Sequence, residues 1–378
     1  MHLAALTLRD YRNYRVLELE FPRGVIVLTG ENGAGKSNLL EAIHYLSYLR
    51  SFRTSRDREI VRFGAAYAVI DARFADEQQR DFDVRLVLKD GKRFVRYNGN
   101  DVQKFQDYIG RLHSQFFFPG DLGIVTGDPA LRREVLDLEL LRLRPQLTAV
   151  MSHFRRAREQ RNRLLKLLHP QPGVTRESRE LRQSFTAFTE QMVQSGAQLI
   201  RERLGITRVL DGLFRPLHRQ LASEQGEQVS LEYISQVELD PPEQIAAAYA
   251  AALEAAAGSE STLRYTSVGP HRDDMLFRLG DGRDLKRFGS QGQMRSAALA
   301  FRLALCELSR QRMQDDPILM LDDALSEMDD GRKARLMELA GRYSQVFITS
   351  ASAREVGQIA GAAGQVYRVG AGSVEKWN

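Results

Sequence analysis

Eight consecutive residues, Gly30-Glu31-Asn32-Gly33-Ala34-Gly35-Lys36-Ser37, match the pattern G-x-x-x-x-G-K-[ST], and Asn38 leads into a stretch with Leu39, Leu40, Ile43 and Leu46 on one face. Glycines let successive backbone N–H groups turn inward around phosphate oxygens, and a helix start adds partial positive charge. A lysine then reaches the terminal phosphates and a hydroxyl can ligate Mg²⁺. Gly30 to Asn38 are therefore the expected ATP-binding residues, with Lys36 acting on the reacting phosphate and Ser37 on the metal. A bare glycine turn would match by accident in about one chain in a hundred of this size. Here the strand-like Val25 to Thr29 precedes the loop and a helix pattern follows it.

Such a site needs a carboxylate for the metal at the end of a buried strand. The apolar run Ile318 to Leu321 ends in Asp322-Asp323. Asp322 is expected in the Mg²⁺ shell, and Asp323 to orient or deprotonate the attacking water. Ahead of them, Ser290-Gln291-Gly292-Gln293 opens a long amphipathic helix, where a serine cap and free backbone donors suit an anion. Each piece alone has a plain alternative, a turn or an ordinary cap. Their coincidence in order favours one composite site whose halves are separated by a large insertion.

Two basic runs stand out. Arg155, Arg156, Arg158, Arg161, Arg163 and Lys166 face the single acid Glu159, and Arg50, Arg53, Arg56, Arg58 and Arg62 surround Asp57 and Glu59. Charge runs are commonly solvated helix faces, but the phosphates of DNA also need clustered cations without a sequence-reading pattern. For the second run, nucleotide and DNA both remain open. His271, in His271-Arg272-Asp273-Asp274, has no second histidine at ligand spacing, so a structural role is expected rather than a metal.

The elements that must position these groups follow from periodicity. The first hundred residues alternate strand-like runs with turns at Pro22, Gly24, Asp90, Gly91, Asn98 and Gly99, which predicts antiparallel strands around one helix. From about Leu131 to Ala257 helix formers dominate, with breaks at Pro170 to Gly173 and Asp240 to Pro242. After Gly258 short apolar runs alternate with helices, Gln293 to Arg312 and Gly331 to Arg342 among them, as in a parallel sheet covered on both faces. The 378 residues carry 54 Lys plus Arg against 49 Asp plus Glu, a net charge of +5, with 43% hydrophobic residues, which excludes disorder as the main state. No apolar run is long enough to span a membrane. Cys306, the single cysteine, permits no disulfide within the chain and fits a cytoplasmic setting.

The order of glycine loop, Ser-Gln-Gly-Gln helix start and Asp-Asp strand resembles the ABC-type ATPases of chromosome maintenance, with Ser326 to Asp329 similar to their D-loop. More narrowly, Tyr11-Arg12-Asn13-Tyr14, Ser51-Phe52-Arg53-Thr54, Gly127-Asp128-Pro129 with Arg132-Arg133, Gly269 to Asp274 and Gly289 to Arg295 resemble the RecF family of bacterial recombination mediators. The resemblance covers most of the chain. It implies an α/β fold: an ABC-type P-loop ATPase head of mixed sheet and helices, residues 1–130 and 258–378, interrupted by a mostly helical arm domain, 131–257. It implies Arg12 and Asn13 near the nucleotide, and Ser326 and Asp329 in the D-loop. Ser290, Gln291, Gly292 and Gln293 would act in trans, across an ATP-dependent homodimer, on the γ-phosphate held by Lys36 of the other subunit. The implied activity is a weak, DNA-stimulated ATPase used as a switch on single strands, duplexes or their junctions. The implied partners are RecR and RecO in placing RecA on single-stranded gaps, with support of the SOS response.

Departures from the family pattern bear on rate. Gly120 replaces the glutamate of Pro-Glu-Asp-Leu, Asp323 is one methylene shorter than the glutamate of ABC transporters, and Thr349-Ser350 stand where a switch histidine would be. Slow turnover is expected. Of two other readings, a small-molecule P-loop kinase leaves Ser290 to Gln293 without a task. A structural SMC-like head calls for long heptad coiled coils, which an insertion of about 125 residues with prolines does not supply.

Overall fold

The computed structural model describes every residue except 79, 169–178, 223–227, 327, 353–355, 357–363 and 378. The break expected at Pro170 to Gly173 and Glu327 of the D-loop segment lie outside the described residues. The chain divides into two compact units, the first made of Met1–Val125, Leu213–Val229 and Phe288–Asn378, the second of Thr126–Gly212 and Ser230–Arg287.

Along the chain come β1 (His2–Tyr11), β2 (Tyr14–Glu20), β3 (Gly24–Thr29), α1 (Lys36–Tyr48), β4 (Tyr67–Ala75), β5 (Asp81–Lys89), β6 (Lys92–Tyr97), β7 (Asn100–Asp101), β8 (Ser114–Phe117) and α2 (Leu122–Thr126). The middle holds α3 (Pro129–Leu143), α4 (Leu147–Leu168), α5 (Arg179–Leu221), β9 (Val229–Ile234), α6 (Ile245–Leu263), β10 (Asp274–Leu279) and α7 (Leu285–Phe288). Last come α8 (Gln291–Met313), β11 (Ile318–Leu321), α9 (Asp330–Ala340), β12 (Gln345–Ser350), β13 (Gln365–Val369) and β14 (Val374–Trp377).

The first unit holds two six-stranded sheets. One, in the order β2-β1-β4-β5-β6-β7, is antiparallel; the other, β14-β13-β3-β12-β11-β8, is parallel except for the β13–β14 hairpin. Sequence texture explains the difference. Val25 to Leu28 are buried without alternation, as a strand covered on both faces must be. In β5, buried Phe82, Val84, Leu86 and Leu88 alternate with exposed Asp81, Asp83, Arg85 and Lys89, so that sheet keeps one wet face. Leu39, Leu40, Ile43 and Leu46 of α1 share one core with Leu6, Leu8 and Ile70 of the first sheet and Ile26, Leu28 and Phe347 of the second. Buried Gln345 links the sheets: its amide accepts from Leu3 N at 2.8 Å and donates to the carbonyls of Leu3 and Pro22 at 3.0 and 2.9 Å. On the far side α8 packs against β8 and buries Cys306.

The second unit is mostly helical, with β9 and β10 as a small sheet. Its core joins Phe154 and Ala157 of α4, Met192, Ala197 and Ile200 of α5, and Ile245, Tyr249 and Leu253 of α6. The two short motifs Gly127-Asp128-Pro129 and Gly269 to Asp274 meet here. Arg132 donates to Gly127 O at 3.0 Å and to both carboxylate oxygens of Asp274, at 2.7 and 2.8 Å, while Asp273 accepts from Tyr233 and Ser235. His271 bonds Thr266 O at 3.0 Å and packs on Phe154, and burial pushes its pKa down to about 4. These are structural contacts of a neutral imidazole.

Gly269 has φ +123, and a Cβ there would fall 2.1 Å from the Tyr249 hydroxyl. Gly269→Ala therefore combines left-handed strain with an overlap against a buried ring, and should cost about 3 kcal/mol or more. A thermal melt of Gly269→Ala superimposable on that of the parent would refute this account of the motif.

Candidate nucleotide site

The phosphate loop bridges β3 and α1 with Gly30, Gly33 and Gly35 all at positive φ. Lys36 is buried, its Nζ donating to Gly30 O at 2.7 Å and Glu31 O at 2.9 Å. Burial lowers its pKa while Asp322 and Asp323 oppose that shift. The ammonium thus sits within the loop on two carbonyl acceptors. Asn13 Nδ2 donates to Ala34 O and Tyr14 Oη to Gly35 O, both at 3.0 Å, so the β1–β2 turn braces the loop from outside.

The second half of the site comes from the ends of two neighbouring parallel strands. The pairing of Leu321 with Ile348 sets Asp322 beside Thr349. Asp322 Oδ1 accepts from Ser37 Oγ at 3.0 Å and from Thr349 Oγ1 at 2.7 Å, and Thr349 Oγ1 accepts from Asp323 N at 2.9 Å. Asp323 has φ 50 and an exposed side chain, at the lip of a cleft of about 740 Å³ lined by Lys36, Ser37, Asp322, Arg53 and Phe118 among others. A hydroxyl and a carboxylate side by side are the hard oxygen donors Mg²⁺ takes, so the residues fit a metal–nucleotide. Thr349 was not among the expected site residues. Its signal is positional, a hydroxyl ending the apolar strand next to the one that ends in Asp322.

Arg12 and Asn13 part company. Arg12 is bound through Nε and Nη2 to the two carboxylate oxygens of buried Glu41, at 2.8 and 2.6 Å, and through Nη1 to Glu59 O. Ser51 Oγ also donates to Glu41, and accepts from the backbone N–H groups of Arg53 and Thr54. Asn13 instead joins the chain Arg53 to Asn38 to Asn13, at 2.7 and 2.8 Å, along the cleft edge. Glu41 was missed because an acid inside an apolar helix face gives no sign of what it ties together.

Ser290 caps α8: its Oγ accepts from Gln293 N at 3.2 Å, and Gln293 Oε1 accepts from Ser290 N at 2.8 Å. Ser290, Gln291, Gly292 and Gln293 do not line the cleft around Lys36. A Cβ on Gly292 would lie 2.6 Å from Arg332, whose N–H is accepted by Asp329, the cap of α9. The expected signature and D-loop segments thus adjoin each other. Ser326 Oγ donates to Asp323 O at 3.1 Å, tying the D-loop to the acid pair. The cleft wall at Phe118-Pro119-Gly120 is held by Asp121, which takes Arg302 of α8 at 2.6 and 3.1 Å. Gly120 lies so close to the Phe118 ring, 2.2 Å from where a Cβ would be, that a glutamate there would displace the ring.

The basic run on α4 is not one surface. Arg155, Arg156, Arg163 and Lys166 are exposed, and Arg158 lies over the Phe154 ring. Arg161 corrects the expectation: it is buried, paired with Glu260 at 2.7 Å and bonded to Thr189 and Thr266. Seven residues after Phe154 and four after Ala157, both in the core, it falls on the same buried face of α4. Among the described residues no cluster of three His, Cys, Asp or Glu side chains could hold a metal, and no helix is long and apolar enough to cross a membrane.

A model of the RecF/RecN/SMC N terminal domain matches residues 2–372. The DNA replication and repair protein RecF of Bacillus pumilus (strain SAFR-032) is 34% identical over 381 residues, covering 99% of this chain and 100% of that protein. Its counterpart from Bacillus subtilis (strain 168) is 35% identical over 355 residues, 93% of this chain and 94% of that protein. Among solved structures, the recombination mediator protein RecF with ATP, in the RecFOR pathway, has a TM-score of 0.86 at 27% identity, covering 100% of this chain and 98% of that one. An Smc head domain from Pyrococcus furiosus, at TM-score 0.58 and 17% identity over 100% of this chain and 96% of that one, shares the fold alone. Identity at this level, sustained over nearly the whole of both chains, establishes the kinship: the chain belongs to the RecF family of DNA replication and repair proteins.

Proposed function

We propose that the chain is an ATP-switched, DNA-binding recombination mediator of the cytoplasm that dimerises on ATP and acts at replication gaps. With RecO and RecR it would place RecA on single-stranded DNA and support SOS induction. The observation that carries this reading is the separation between two ready-made half-sites. Ser37 and Asp322 meet at 3.0 Å in one cleft, while the capped serine of α8 stands exposed outside it. A second copy supplying Ser290 would complete the phosphate contacts only while the nucleotide keeps its third phosphate, which makes binding energy conditional on ATP.

Bound Mg²⁺-ATP would supply an activated phosphoanhydride. The chain's own groups do the rest: Lys36 and the loop N–H groups hold the terminal phosphates, and Ser37 and Asp322 hold the cation. Thr349 fixes the Asp322 oxygen and the Asp323 backbone. Asp323 orients water and accepts its proton. With a short carboxylate and no switch histidine, turnover is slow and the ATP state is long-lived. Arg155, Arg156, Arg158, Arg163 and Lys166 contact DNA phosphates without reading sequence.

Trp377, the single tryptophan, lines a second cleft on the flank of the phosphate loop with Glu31, Asn32 and Arg368. ATP should change its fluorescence in the parent and in Ser290→Arg, but not in Lys36→Met. Sedimentation should then find Ser290→Arg monomeric with ATP bound; dimerisation equal to the parent would break the composite-site reading.

Asp323→Asn should keep ATP affinity, lose hydrolysis and accumulate dimer on DNA, whereas Asp322→Ala should weaken binding and hydrolysis together. Single-turnover hydrolysis at the parental rate in Asp323→Asn would reassign the water-orienting role.

Charge reversal of Arg155, Arg156 and Arg163 should weaken binding to unrelated sequences alike and lower the salt slope by about 1 for each phosphate no longer neutralised. An unchanged slope would hand that face to a protein partner. Arg161→Glu should instead cost about 3–5 kcal/mol of stability, because it leaves Glu260 buried beside a like charge.

A further inference from the structure

The wet face of the antiparallel sheet in the first unit is not uniformly polar. Register places Val16, Arg9, Val69, Val87 and Phe94 in one row across β2, β1, β4, β5 and β6. The row beside it holds Tyr67, Lys89 and Lys92 on β4, β5 and β6. Phe63, on the turn that leads into β4, is 99% exposed, and Val16, Tyr67 and Phe94 are each about half exposed. Water-facing aromatic rings gathered at one end of a sheet are unfavourable unless something covers them.

Cations converge on the same end. Arg58 lies against Gly91 in the β5–β6 turn, 3.7 Å from where a Cβ would stand, next to Lys89 and Lys92. None of these three has a carboxylate partner among the described residues, and the turn contributes the single acid Asp90. Elsewhere on this face Asp71 pairs with Arg85 and Asp101 with Arg96, and the other acids, Glu18, Glu20, Asp81 and Asp83, stand in rows away from this end. The patch therefore combines exposed rings with unneutralised positive charge on a pleated surface.

We infer that this sheet face is a stacking platform for single-stranded DNA, in which Phe63, Tyr67 and Phe94 take unpaired bases while Arg58, Lys89 and Lys92 take the intervening phosphates. An aromatic ring accepts any base by stacking, and clustered cations follow the backbone without reading sequence. A duplex offers the cations phosphates but keeps its base faces stacked inside, so the rings would discriminate single strands from duplex. The inference rests on the DNA-binding reading above and names a surface distinct from α4.

The test is fluorescence anisotropy on the full chain with ATP, using labelled oligo(dT) of about 20 nucleotides and a duplex of the same length. Phe63→Ala/Tyr67→Ala/Phe94→Ala should weaken oligo(dT) binding by roughly thirtyfold or more while duplex binding stays within about threefold. Phe63→Tyr, which keeps a ring, should bind as the parent does. Lys89→Glu/Lys92→Glu should flatten the salt dependence for both ligands. The rings are exposed, so an unchanged melting temperature and an intact Trp377 response to ATP will show that each variant is folded. Oligo(dT) affinity within about threefold of the parent in the triple variant overturns the proposal and assigns the patch to a protein partner. Equal losses on both ligands overturn it too, because stacking would then contribute nothing. If the parent itself binds neither DNA, the DNA-binding reading fails first and this one with it.

Discussion

A single hydrogen bond, Ser37 Oγ to Asp322 Oδ1 at 3.0 Å, joins residues 285 positions apart, and the site exists only where the fold allows that meeting. The loop end of β3 and the acid end of β11 must emerge on the same side of one sheet, which parallel strands guarantee and antiparallel ones do not. β12 lies between them and contributes Thr349, so the hydroxyl that fixes Asp322 arrives with the strand that spaces it. Gln345, at the other end of β12, ties the same strand to β1 and to the turn before β3. The insertion is tolerable because it enters and leaves without interrupting this alignment.

Much of this was written in local pattern. A glycine loop between a β-branched strand and an amphipathic helix has one dominant solution, and four consecutive apolar residues before two aspartates have few others. The helix expected from about Gln293 to Arg312 runs from Gln291 to Met313, because the capping box of Ser290 and Gln293 is itself a local signal. What stayed hidden depended on distant partners. Glu41 looks like any helical glutamate until Arg12 and Ser51 close on it, and Asp121 becomes a strut for the cleft wall only through Arg302.

Charge shows the same boundary between local and distant information. Six cations in one stretch of α4 invite a single reading, yet the 3.6-residue period turns Arg161 inward to Glu260 while Arg155, Arg156, Arg163 and Lys166 stay in water. Arg132 with Asp274 and Arg203 with Asp137 are likewise held in bidentate pairs, so part of the basic composition serves to fasten the second unit. An arginine buried on the core face is committed to a carboxylate there, and only an exposed one is left available to a partner in solution. Exposure is set by helix phase against a core that composition does not describe.

The place of β3 between β12 and β13 has a consequence during synthesis. Both strands that hydrogen-bond β3 come from the last tenth of the chain, so Val25 to Leu28 leave the ribosome as an unpaired apolar segment. At roughly 5–20 residues per second their partners follow about 15–60 s later. The β1–β2 hairpin and the β4–β5–β6 meander need no such wait, since their pairings are local. A nascent chain therefore cannot complete the cleft around Lys36 until translation is almost finished, and the strand that leads into the phosphate loop is the one most in need of shelter on the way.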